Sequence, residues 1–289
     1  MLSMFWWIYE PISIAFQGER GAYSEIAAEK FFNCNIKFIP CKDLEDVFKI
    51  VEASYVDYGI IPVENSIEGS VTRSYDLMRE SNLKITGEIV IRISHCLISY
   101  HDYEIKDIKK VYSHPQALGQ CKNFIRKQKL ATYPTYDTAG SVKMLSRRRI
   151  KYAAAIASNK AAEIYGLKIL AEGIEDDKNN YTRFLIISRN MIKPIGKVKT
   201  SIVFTVKHVP GSLYKALKVF ASRGINLTKI ESRPVIGRPW EYYFYLDFEG
   251  SIENNIVKNA LKELSKKTTY IKVLGSYKQS SNHYTSNYL

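Results

Sequence analysis

The spacing of apolar residues in the first part of the chain alternates between two periods. Short runs typical of buried strands stand at Ile12–Phe16, Asn35–Pro40 and Tyr58–Pro62. Helices are predicted from Ser24 to about Phe32 and, after the loop Glu64–Ser70, at Val71–Met78. A further helix, with Asp43 as its cap, is predicted where apolar residues recur at i, i+3, i+4 and i+7, namely Leu44, Val47, Phe48 and Val51. This βαβαβ order predicts a mostly parallel sheet with helices on its faces.

The same alternation returns after a β-rich run, Ile85–Ser99. The predicted strands of this second part are Val111–Ser113, Ala131–Thr135, Tyr152–Ile156, Lys168–Gly173 and Thr182–Ser188. The predicted helices are Pro115 to about Gln128, Ala139–Arg147 and Ser158–Tyr165, with Gly166 ending the last of them. We expect the strand Thr182–Ser188 to return to the first part. Two α/β lobes joined in this way enclose a cleft, the usual place for a small ligand.

The order of elements changes after a linker at Met191–Lys199. The predicted elements are the strand Ser201–Lys207, the helix Ser212–Arg223, the strands Asn226–Arg233 and Tyr242–Phe248, the helix Ile252–Lys266 and the strand Tyr270–Leu274. This βαββαβ order is the ferredoxin-like pattern. Residues 277–289 are rich in Ser, Asn and Tyr without a period, which predicts a mobile tail.

The chain carries a net charge of +13, which is compatible with binding a nucleic acid. Its densest basic run is Arg147, Arg148, Arg149 and Lys151. The sequence shows no zinc-finger spacing, no RNP-type aromatic motif and no long basic arm. We therefore interpret most of these charges as a solvated face, whose positive field also suits a dianionic small substrate.

Cysteines and histidines are few and scattered. The four cysteines form no Cys-x-x-Cys pair, and the five histidines do not have the spacing of metal ligands. Neither disulfides nor a metal site is therefore expected. This use of cysteine fits a protein of the reducing cytosol best. The apolar start, Met1–Tyr9, lacks a basic leader and a cleavage site and does not resemble a signal peptide. The apolar stretches are only strand-sized, so no membrane span is expected.

Two polar motifs follow predicted strands of the first part. Gly18-Glu19-Arg20-Gly21-Ala22-Tyr23-Ser24 places two glycines between a strand and a helix, where backbone N–H groups can face an anion, although a plain turn uses the same residues. Glu64, Asn65 and Ser66 follow a buried strand directly. They offer hydrogen bonds at a sheet edge, or else simply cap the next helix.

Two more motifs lie in the second part. In Ser113-His114-Pro115-Gln116-Ala117-Leu118-Gly119-Gln120-Cys121, Ser113 is the candidate N-cap of the helix that Pro115 opens, and Gln116 and Gln120 share a helix face. His114 is either a general base or a structural residue of this cap. Thr182 and Arg183 are neighbours at the start of a strand, so their side chains should point to opposite faces.

Taken together, these motifs resemble the prephenate dehydratases from about Ile12 to Gly275. The resemblance rests on the Gly-x-x-Gly-x-Tyr-Ser turn, the Val63-Glu64-Asn65-Ser66 loop, the Ser113–Cys121 segment and Thr182-Arg183-Phe184, in that family's order. Two further segments, Pro210-Gly211-Ser212-Leu213 and Asn226–Pro234, resemble the two motifs of a phenylalanine-binding ACT domain. Because Phe16-Gln17-Gly18 and Asp137-Thr138-Ala139-Gly140 also resemble the arogenate-using relatives, arogenate dehydratase remains an alternative.

The resemblance implies an α/β, two-lobed, periplasmic-binding-protein-like catalytic domain with a central cleft at 12–190. Its lobes are 12–92 with 181–190, and 93–180. A ferredoxin-like ACT domain at 200–276 and a tail at 277–289 follow. Because no helical mutase region precedes Ile12, we expect a monofunctional enzyme.

The implied activity is a lyase reaction of phenylalanine synthesis, the decarboxylating dehydration of prephenate to phenylpyruvate, without cofactor or metal. The implied catalytic residues are Thr182 and Arg183. The implied substrate contacts are Gly21, Ser24, Glu64, Asn65, Ser66, Ser113, Gln120 and Thr138. L-Phenylalanine is the implied effector of a cytoplasmic homodimer or dimer of dimers, and its implied contacts are Gly211, Ser212, Leu213, Asn226, Leu227, Glu231 and Ser232.

Two rival functions remain open at this stage. A solute-binding protein with an amino-acid sensor would share the two lobes without catalysis, but it does not account for the Thr182-Arg183-Phe184 strand. A basic nucleic-acid regulator with an ACT domain would need a DNA-binding motif, and the sequence shows no helix-turn-helix signature.

Overall fold

The structure of the chain is a computed structural model, and it describes residues 11–280. The described chain divides into two compact units. The first comprises the described chain up to Ile60 together with Ile91–Tyr181, and the second comprises Ile61–Val90 together with the described chain from Thr182 onward. These units differ from the predicted lobes. The prediction places residues 12–92 in one lobe and 93–180 in the other, whereas in the structure the residues up to Ile60 belong to the same unit as Ile91–Tyr181. The predicted domain boundaries stay predictions.

The regular elements alternate along the chain much as their apolar periods predict. The helices are α1 (Tyr23–Phe32), α2 (Leu44–Glu52), α3 (Thr72–Glu80), α4 (Pro115–Gln120), α5 (Lys122–Lys127), α6 (Thr138–Arg148), α7 (Asn159–Tyr165), α8 (Ser212–Ala221) and α9 (Asn255–Ser265). The strands up to residue 120 are β1 (Ile12–Gln17), β2 (Ile36–Cys41), β3 (Tyr58–Asn65), β4 (Gly69–Ser70), β5 (Lys84–Arg92), β6 (Cys96–Ser99) and β7 (Lys110–Ser113). The later strands are β8 (Ala131–Pro134), β9 (Ala153–Ala157), β10 (Lys168–Ala171), β11 (Tyr181–Ser188), β12 (Val198–Thr205), β13 (Leu227–Val235), β14 (Arg238–Glu249) and β15 (Tyr270–Lys278).

In the first unit, β1 pairs in parallel with β2 and with the start of β3. The apolar stripe of α2 is buried, as its spacing predicts, at Leu44, Val47, Phe48 and Val51. Asp43 stands at the N-cap position of α2, but its side chain makes no capping hydrogen bond with the helix. The predicted cap position is therefore confirmed. Within the described residues, however, the Asp43 side chain does not form the hydrogen bond expected of a cap.

A second sheet of the first unit has the strand order β10-β6-β9-β7-β8. Its β7 pairs in parallel with β8 and β9, whereas β6 runs antiparallel to β9 and β10. Two predicted elements are interrupted. The run Ile85–Ser99 forms two strands separated at Ile93–His95, and the helix predicted from Pro115 to Gln128 breaks at Cys121. Cys121, which lies between the two helices, is fully buried in the core of this unit.

In the second unit, the later part of β3 neighbours β11, and β11 neighbours β5. β4 folds back on β3 and pairs Glu64 with Ser70. The C-terminal sheet has the order β13-β14-β12-β15, carries α8 and α9, and confirms the predicted βαββαβ pattern. Its apolar core includes Phe204, Phe220 and Phe248, which are fully buried.

The prediction of a mobile tail from residue 277 is wrong at its start. β15 continues to Lys278, and Tyr277 is fully buried there. Tyr277 pairs with Lys199 of β12, and its hydroxyl lies 2.6 Å from Ser201 Oγ. These long-range partners explain why composition alone misplaced the boundary. The remainder of the predicted tail, 281–289, and the first ten residues lie outside the described part of the chain.

Within residues 11–280, no helix combines the length and the apolar character that a membrane span requires.

Candidate active site

Thr182 lies near the start of β11 and is 9% exposed. The side-chain amide of Asn65, at the end of β3, donates a hydrogen bond from Nδ2 to Thr182 Oγ1 over 2.9 Å. The other end of that amide is held by its own loop, because Asn65 Oδ1 accepts hydrogen bonds from the N–H groups of Ile67 and Glu68, both at 3.0 Å. The orientation of the amide is therefore fixed, and its donor faces the threonine hydroxyl.

Arg183 is the next residue of β11, and its guanidinium is enclosed by acidic and phenolic partners. Its nitrogens donate to Glu88 Oε2 at 2.8 Å, to Asp247 Oδ2 at 2.7 Å and to the Tyr277 hydroxyl at 3.0 Å. Burial by itself would lower the pKa of Arg183, but Asp247, Tyr277 and Glu88 raise this pKa well above its usual value. The guanidinium is thus a permanent cation held by β5 and by the C-terminal sheet.

A second cation balances this buried cluster. Lys199 Nζ donates to Glu88 Oε1 at 2.9 Å, and Ser201 Oγ donates to Asp247 Oδ1 at 2.5 Å. Glu88 and Asp247 therefore face Arg183 and Lys199, two acids against two bases. A buried ion pair of this kind is strongly destabilising when one partner is removed, because the other charge stays behind in a poorly solvated place.

The loop that carries Asn65 is also tied to β13 of the C-terminal sheet. Lys229 Nζ lies 3.0 Å from Glu64 Oε1 and donates to Ser70 Oγ at 3.2 Å. Ser70 Oγ in turn donates to Glu231 Oε2 at 2.8 Å. Two residues of β13 therefore hold both ends of the loop that presents Asn65 to Thr182. Ser66, the remaining predicted contact of this loop, is exposed.

In the first unit, the glycine turn has its N–H groups occupied by its own chain. Gly18 N donates to Cys41 O at 2.9 Å, and Gly21 N donates to the Glu25 carboxylate at 2.7 Å. The expectation that these two groups face a bound anionic ligand is therefore not met, because both are occupied within the chain. Gly21 has φ +87°, and a Cβ built there would lie 2.6 Å from Ala161 Cα, so close packing against α7 requires glycine. Ser24 is buried in the first turn of α1.

The predicted capping role of Ser113 is wrong. Its hydroxyl donates to Ile156 O at 2.6 Å across the sheet, whereas His114 takes the N-cap position of α4 and its Nδ1 accepts from Gln116 N at 3.3 Å. Because the strand continues to Ser113, its side chain is committed to the neighbouring strand. The cap favours the structural interpretation of His114 over the general base.

Gln120 ends α4 among buried polar side chains, one of which, His95, is not among the predicted site residues. Its Oε1 lies 2.9 Å from Asn180 Nδ2 and 3.0 Å from His95 Nε2. His95 stands in the break between β5 and β6 and is 2% exposed. The sequence does contain a signal for His95, which is a polar residue inside the β-rich run Ile85–Ser99. No comparable local signal marked Lys229, because its partners Glu64 and Ser70 lie far away in the sequence.

Thr138 is the first residue of α6, next to its N-cap Asp137, whose carboxylate accepts from Gly140 N at 2.6 Å. Burial raises the pKa of Asp137. Glu19 reaches the same helix through Lys143 at 2.6 Å and also accepts from Tyr136 at 2.8 Å. These contacts border a pocket of about 530 Å³ lined by Gly18, Glu19, Pro40, Cys41, Lys42, Tyr136 and Lys143.

The C-terminal sheet carries a separate pocket of about 330 Å³. It is lined by Val206, Lys207, His208, Val209, Pro210, Ser212, Leu213, Trp240, Glu241, Tyr242 and Phe244. Of the residues predicted to bind an effector, Ser212 and Leu213 lie there and Gly211 precedes them with φ +79°. Asn226, Leu227, Glu231 and Ser232 do not line this pocket. The structure therefore separates the predicted effector contacts into two groups.

Two models of known protein families match the chain. The model of the family "Prephenate dehydratase" matches residues 14–192, and that of "ACT domain" matches residues 200–266. The chain is 46% identical over 277 residues to arogenate dehydratase/prephenate dehydratase 2 of Arabidopsis thaliana, covering 92% of this chain and 72% of that protein. It is 45% identical over 269 residues to the bifunctional chorismate mutase/prephenate dehydratase of Aquifex aeolicus, covering 93% and 74%.

A solved structure agrees with the described fold. The prephenate dehydratase of Arthrobacter aurescens, determined in complex with L-Phe, has a TM-score of 0.85 and 32% sequence identity, covering 93% of this chain and 90% of that one. The predicted α/β architecture with a C-terminal ACT domain is therefore confirmed. The chain belongs to the prephenate dehydratase family of lyases.

Proposed function

We propose that this chain converts prephenate to phenylpyruvate in L-phenylalanine synthesis. In this reaction a carboxylate leaves as CO2, the C–O bond to the ring hydroxyl breaks, and a proton turns the departing hydroxide into water. Aromatisation of the ring makes the reaction favourable, so the kinetic difficulty is the departure of hydroxide, a poor leaving group that needs a proton donor. No metal or cofactor takes part in the proposed reaction.

The hydrogen bond from Asn65 to Thr182 carries this proposal. Because Asn65 Nδ2 donates to Thr182 Oγ1, a lone pair of that oxygen is already occupied. The threonine proton is then available to an acceptor other than Asn65, and the donated hydrogen bond polarises the O–H group. We propose that Thr182 donates to the leaving oxygen and that Asn65 acts by polarising Thr182.

Arg183 has a different role in this proposal. Its three donated hydrogen bonds to Glu88, Asp247 and Tyr277 support a positioning role, which holds the start of β11 and therefore Thr182. Its neighbour Glu64 is engaged with Lys229. The remaining predicted substrate contacts, which stay predictions, are Gly21, Ser24, Ser66, Ser113, Gln120 and Thr138.

Substrate choice is the finer part of the proposal. The Arabidopsis relative is named for both arogenate and prephenate, and the Aquifex relative for prephenate. The test is steady-state kinetics with each substrate, following phenylpyruvate or phenylalanine as product. A higher kcat/KM for prephenate supports the proposal, and a higher value for arogenate makes the chain an arogenate dehydratase. Absence of turnover on both contradicts the proposed activity and favours the solute-binding alternative.

We also propose that L-phenylalanine inhibits the enzyme through the ACT domain. The relative from Arthrobacter was solved with L-Phe, which supports this effector class. The contacts of Lys229 and Glu231 with the Asn65 loop, and of Asp247 with Arg183, offer a physical route from the C-terminal sheet to Thr182. A coupling free energy of about 1–3 kcal/mol between two sites is typical of such regulation.

The proposed setting is the cytosol, and the proposed assembly is a homodimer or a dimer of dimers, as ACT domains commonly pair. Light scattering on the full chain, with and without L-phenylalanine, tests the assembly. A monomer under both conditions contradicts it.

A further inference from the structure

The phenol of Tyr277 closes a ring of hydrogen bonds that begins and ends at Arg183 and Asp247. Arg183 Nη2 donates to the Tyr277 hydroxyl at 3.0 Å, and that hydroxyl lies 2.6 Å from Ser201 Oγ. Ser201 Oγ lies 2.5 Å from Asp247 Oδ1, and Asp247 Oδ2 accepts from Arg183 Nη1 at 2.7 Å. Tyr277, Ser201 and Asp247 are 0%, 2% and 5% exposed, and all four residues belong to the second unit.

The direction of every hydrogen bond in this ring is determined. The carboxylate of Asp247 can only accept, and the guanidinium of Arg183 can only donate. Ser201 has one hydroxyl proton, which it donates to Asp247 Oδ1. The phenolic proton of Tyr277 therefore goes to Ser201 Oγ, and the Tyr277 oxygen accepts from Arg183. Burial raises the pKa of Tyr277 well above its usual value, and the charge of Asp247 adds to this, so the phenol keeps its proton.

The Tyr277 oxygen is thus committed to Arg183. One branch of the ring runs directly from Arg183 to Asp247 Oδ2, and the other runs through Tyr277 and Ser201 to Asp247 Oδ1. A phenylalanine at position 277 would leave Arg183 Nη2 without this acceptor in a buried place. An unpaired buried donor is costly, because its desolvation is not compensated. We therefore expect the guanidinium to move when the phenolic oxygen is removed.

Three strands hold the guanidinium, each at a different nitrogen. Glu88 of β5 accepts from Arg183 Nε at 2.8 Å, Asp247 belongs to β14 and Tyr277 to β15. The donors of a guanidinium form a planar, rigid fork, so a rotation of the group would break more than one of these hydrogen bonds. The three partners together therefore fix the side chain of Arg183 in one orientation.

The position of Arg183 also determines the position of Thr182. The two residues are neighbours near the start of β11, and neighbouring side chains of a strand lie on opposite faces. A rotation of the strand about its own axis therefore moves both side chains together. The hydrogen bond of 2.9 Å between Asn65 Nδ2 and Thr182 Oγ1 tolerates little such displacement, because hydrogen bonds weaken steeply with distance and angle.

We propose that Tyr277 is a positioning residue of the dehydratase site, which acts through Arg183 to hold Thr182 against Asn65. This inference rests on the proposed role of Thr182 and assigns no chemistry to Tyr277 itself. It places a requirement for turnover in β15, 94 positions after Arg183 in the sequence.

Two variants of the ring separate positioning from stability. Tyr277→Phe removes the acceptor of Arg183 Nη2, whereas Ser201→Ala keeps that acceptor and breaks the ring beyond it. Both leave a buried polar group unpaired, so both should lower the melting temperature. We expect Tyr277→Phe to lower kcat roughly tenfold, the effect of one lost hydrogen bond to a charged group, with KM within about threefold of the wild type. Ser201→Ala should keep kcat within about threefold. Equal losses of kcat in the two variants would overturn the inference.

Tyr245→Phe is the matched control for the loss of a buried phenol. Tyr245 lies on β14 close to Asp247 and is 2% exposed, but its hydroxyl takes no part in the ring. We expect the kcat of Tyr245→Phe to equal that of the wild type. A loss as large as that of Tyr277→Phe would show that any buried phenol of this sheet has the same effect, and the inference would fail.

A double-mutant cycle with Thr182→Ala tests whether Tyr277 acts through Thr182. If it does, Tyr277→Phe has almost no further effect on the residual kcat in the Thr182→Ala background. The same fold-loss of kcat in both backgrounds contradicts the proposal. Wild-type turnover on prephenate and arogenate is measured first, so a failure of the dehydratase assignment appears there and not in the cycle.

Amide hydrogen exchange gives a readout that does not depend on turnover. Exchange into the full chain, followed by proteolysis and mass spectrometry, reports the opening of the peptide that carries Thr182. We expect exchange of this peptide to be roughly tenfold faster in Tyr277→Phe, in proportion to the lost hydrogen bond, and unchanged in Tyr245→Phe. Exchange at the wild-type rate in Tyr277→Phe overturns the inference, whatever the substrate of the enzyme.

Discussion

Asn65 Nδ2 and Thr182 Oγ1 are 2.9 Å apart, although 117 positions separate the two residues in the sequence. The hydrogen bond has a defined direction, because Asn65 Oδ1 is occupied by the N–H groups of Ile67 and Glu68. The threonine hydroxyl therefore accepts from Asn65 and keeps its own proton for another acceptor. This relationship leads directly to the expected behaviour of both residues.

Thr182→Ala should lower kcat by about a hundredfold or more, in the usual range for a group that assists proton transfer. The fold should be retained, since the substitution removes a small side chain. Thr182→Ser is the matched control, because it keeps the hydroxyl, and it should retain most of the turnover. Steady-state kinetics and the melting temperature of each variant provide the measurement. Near-normal turnover of Thr182→Ala would contradict the proposed role.

Asn65→Asp should lower kcat by at least roughly tenfold, because it inverts the hydrogen bond to Thr182. A carboxylate can still accept from Ile67 and Glu68, so the loop is kept, but its second oxygen takes the proton of Thr182. Glu68→Gln, on the same exposed loop, is the matched control and should behave like the wild type. Equal kcat values for Asn65→Asp and the control would show that the amide does not polarise the hydroxyl.

Asp247→Ala should destabilise the protein by about 3 kcal/mol, the usual cost of leaving one buried charge unpaired. Arg183 then keeps Glu88 but loses the partner at 2.7 Å. Glu253→Ala provides the comparison, because Glu253 pairs with Lys258 on the surface, where both side chains are more than half exposed. An exposed pair contributes at most about 1 kcal/mol. Urea denaturation measures both, and similar small effects would rule out a stabilising role for the Arg183 cluster.

Lys229→Met should weaken inhibition by L-phenylalanine without abolishing binding of the amino acid. The substitution removes the contact of β13 with Glu64 at 3.0 Å and so loosens the link between the C-terminal sheet and the Asn65 loop. Binding is followed by the rise in melting temperature, and inhibition by the ratio of kcat/KM with and without effector. A loss of coupling of about 1.4 kcal/mol corresponds to a tenfold change in that ratio. Lys258→Met on α9 is the control, and identical inhibition of the two variants would exclude this route.

The stability of the wild type should fall as the pH drops from about 7 to 5, in part through His95. Burial holds the pKa of folded His95 below the usual value of 6.5, so the unfolded chain binds a proton that the folded chain does not. Unfolding is then favoured increasingly below about pH 6.5. The neighbouring Glu175 and Tyr23 are present in both the wild type and His95→Gln. The free energy of unfolding of the wild type, taken relative to that of His95→Gln, should therefore fall as the pH is lowered. A difference that does not change with pH would contradict this prediction.

The sequence by itself determined the local elements and the motifs from which the site residues are proposed. The apolar period of α2 and the βαββαβ order depend on neighbours a few positions away, so they could be predicted from the residues alone. The resemblance of the motifs likewise singled out Asn65, Thr182 and Gln120. The predicted boundary of the C-terminal tail was wrong because Tyr277 has partners that are distant in the sequence. Its hydroxyl contacts Arg183 and Ser201.

Only the tertiary structure decided which partner each polar group chose. Ser113 donates to the Ile156 carbonyl instead of capping a helix, Gly21 N donates to the Glu25 carboxylate instead of a bound ligand, and Lys229 pairs with Glu64. A hydrogen bond is short and directional, so its formation depends on which chain segments the fold brings within about 3 Å. That proximity is set by the packing of whole sheets, and no local pattern around Ser113 or Lys229 contains it.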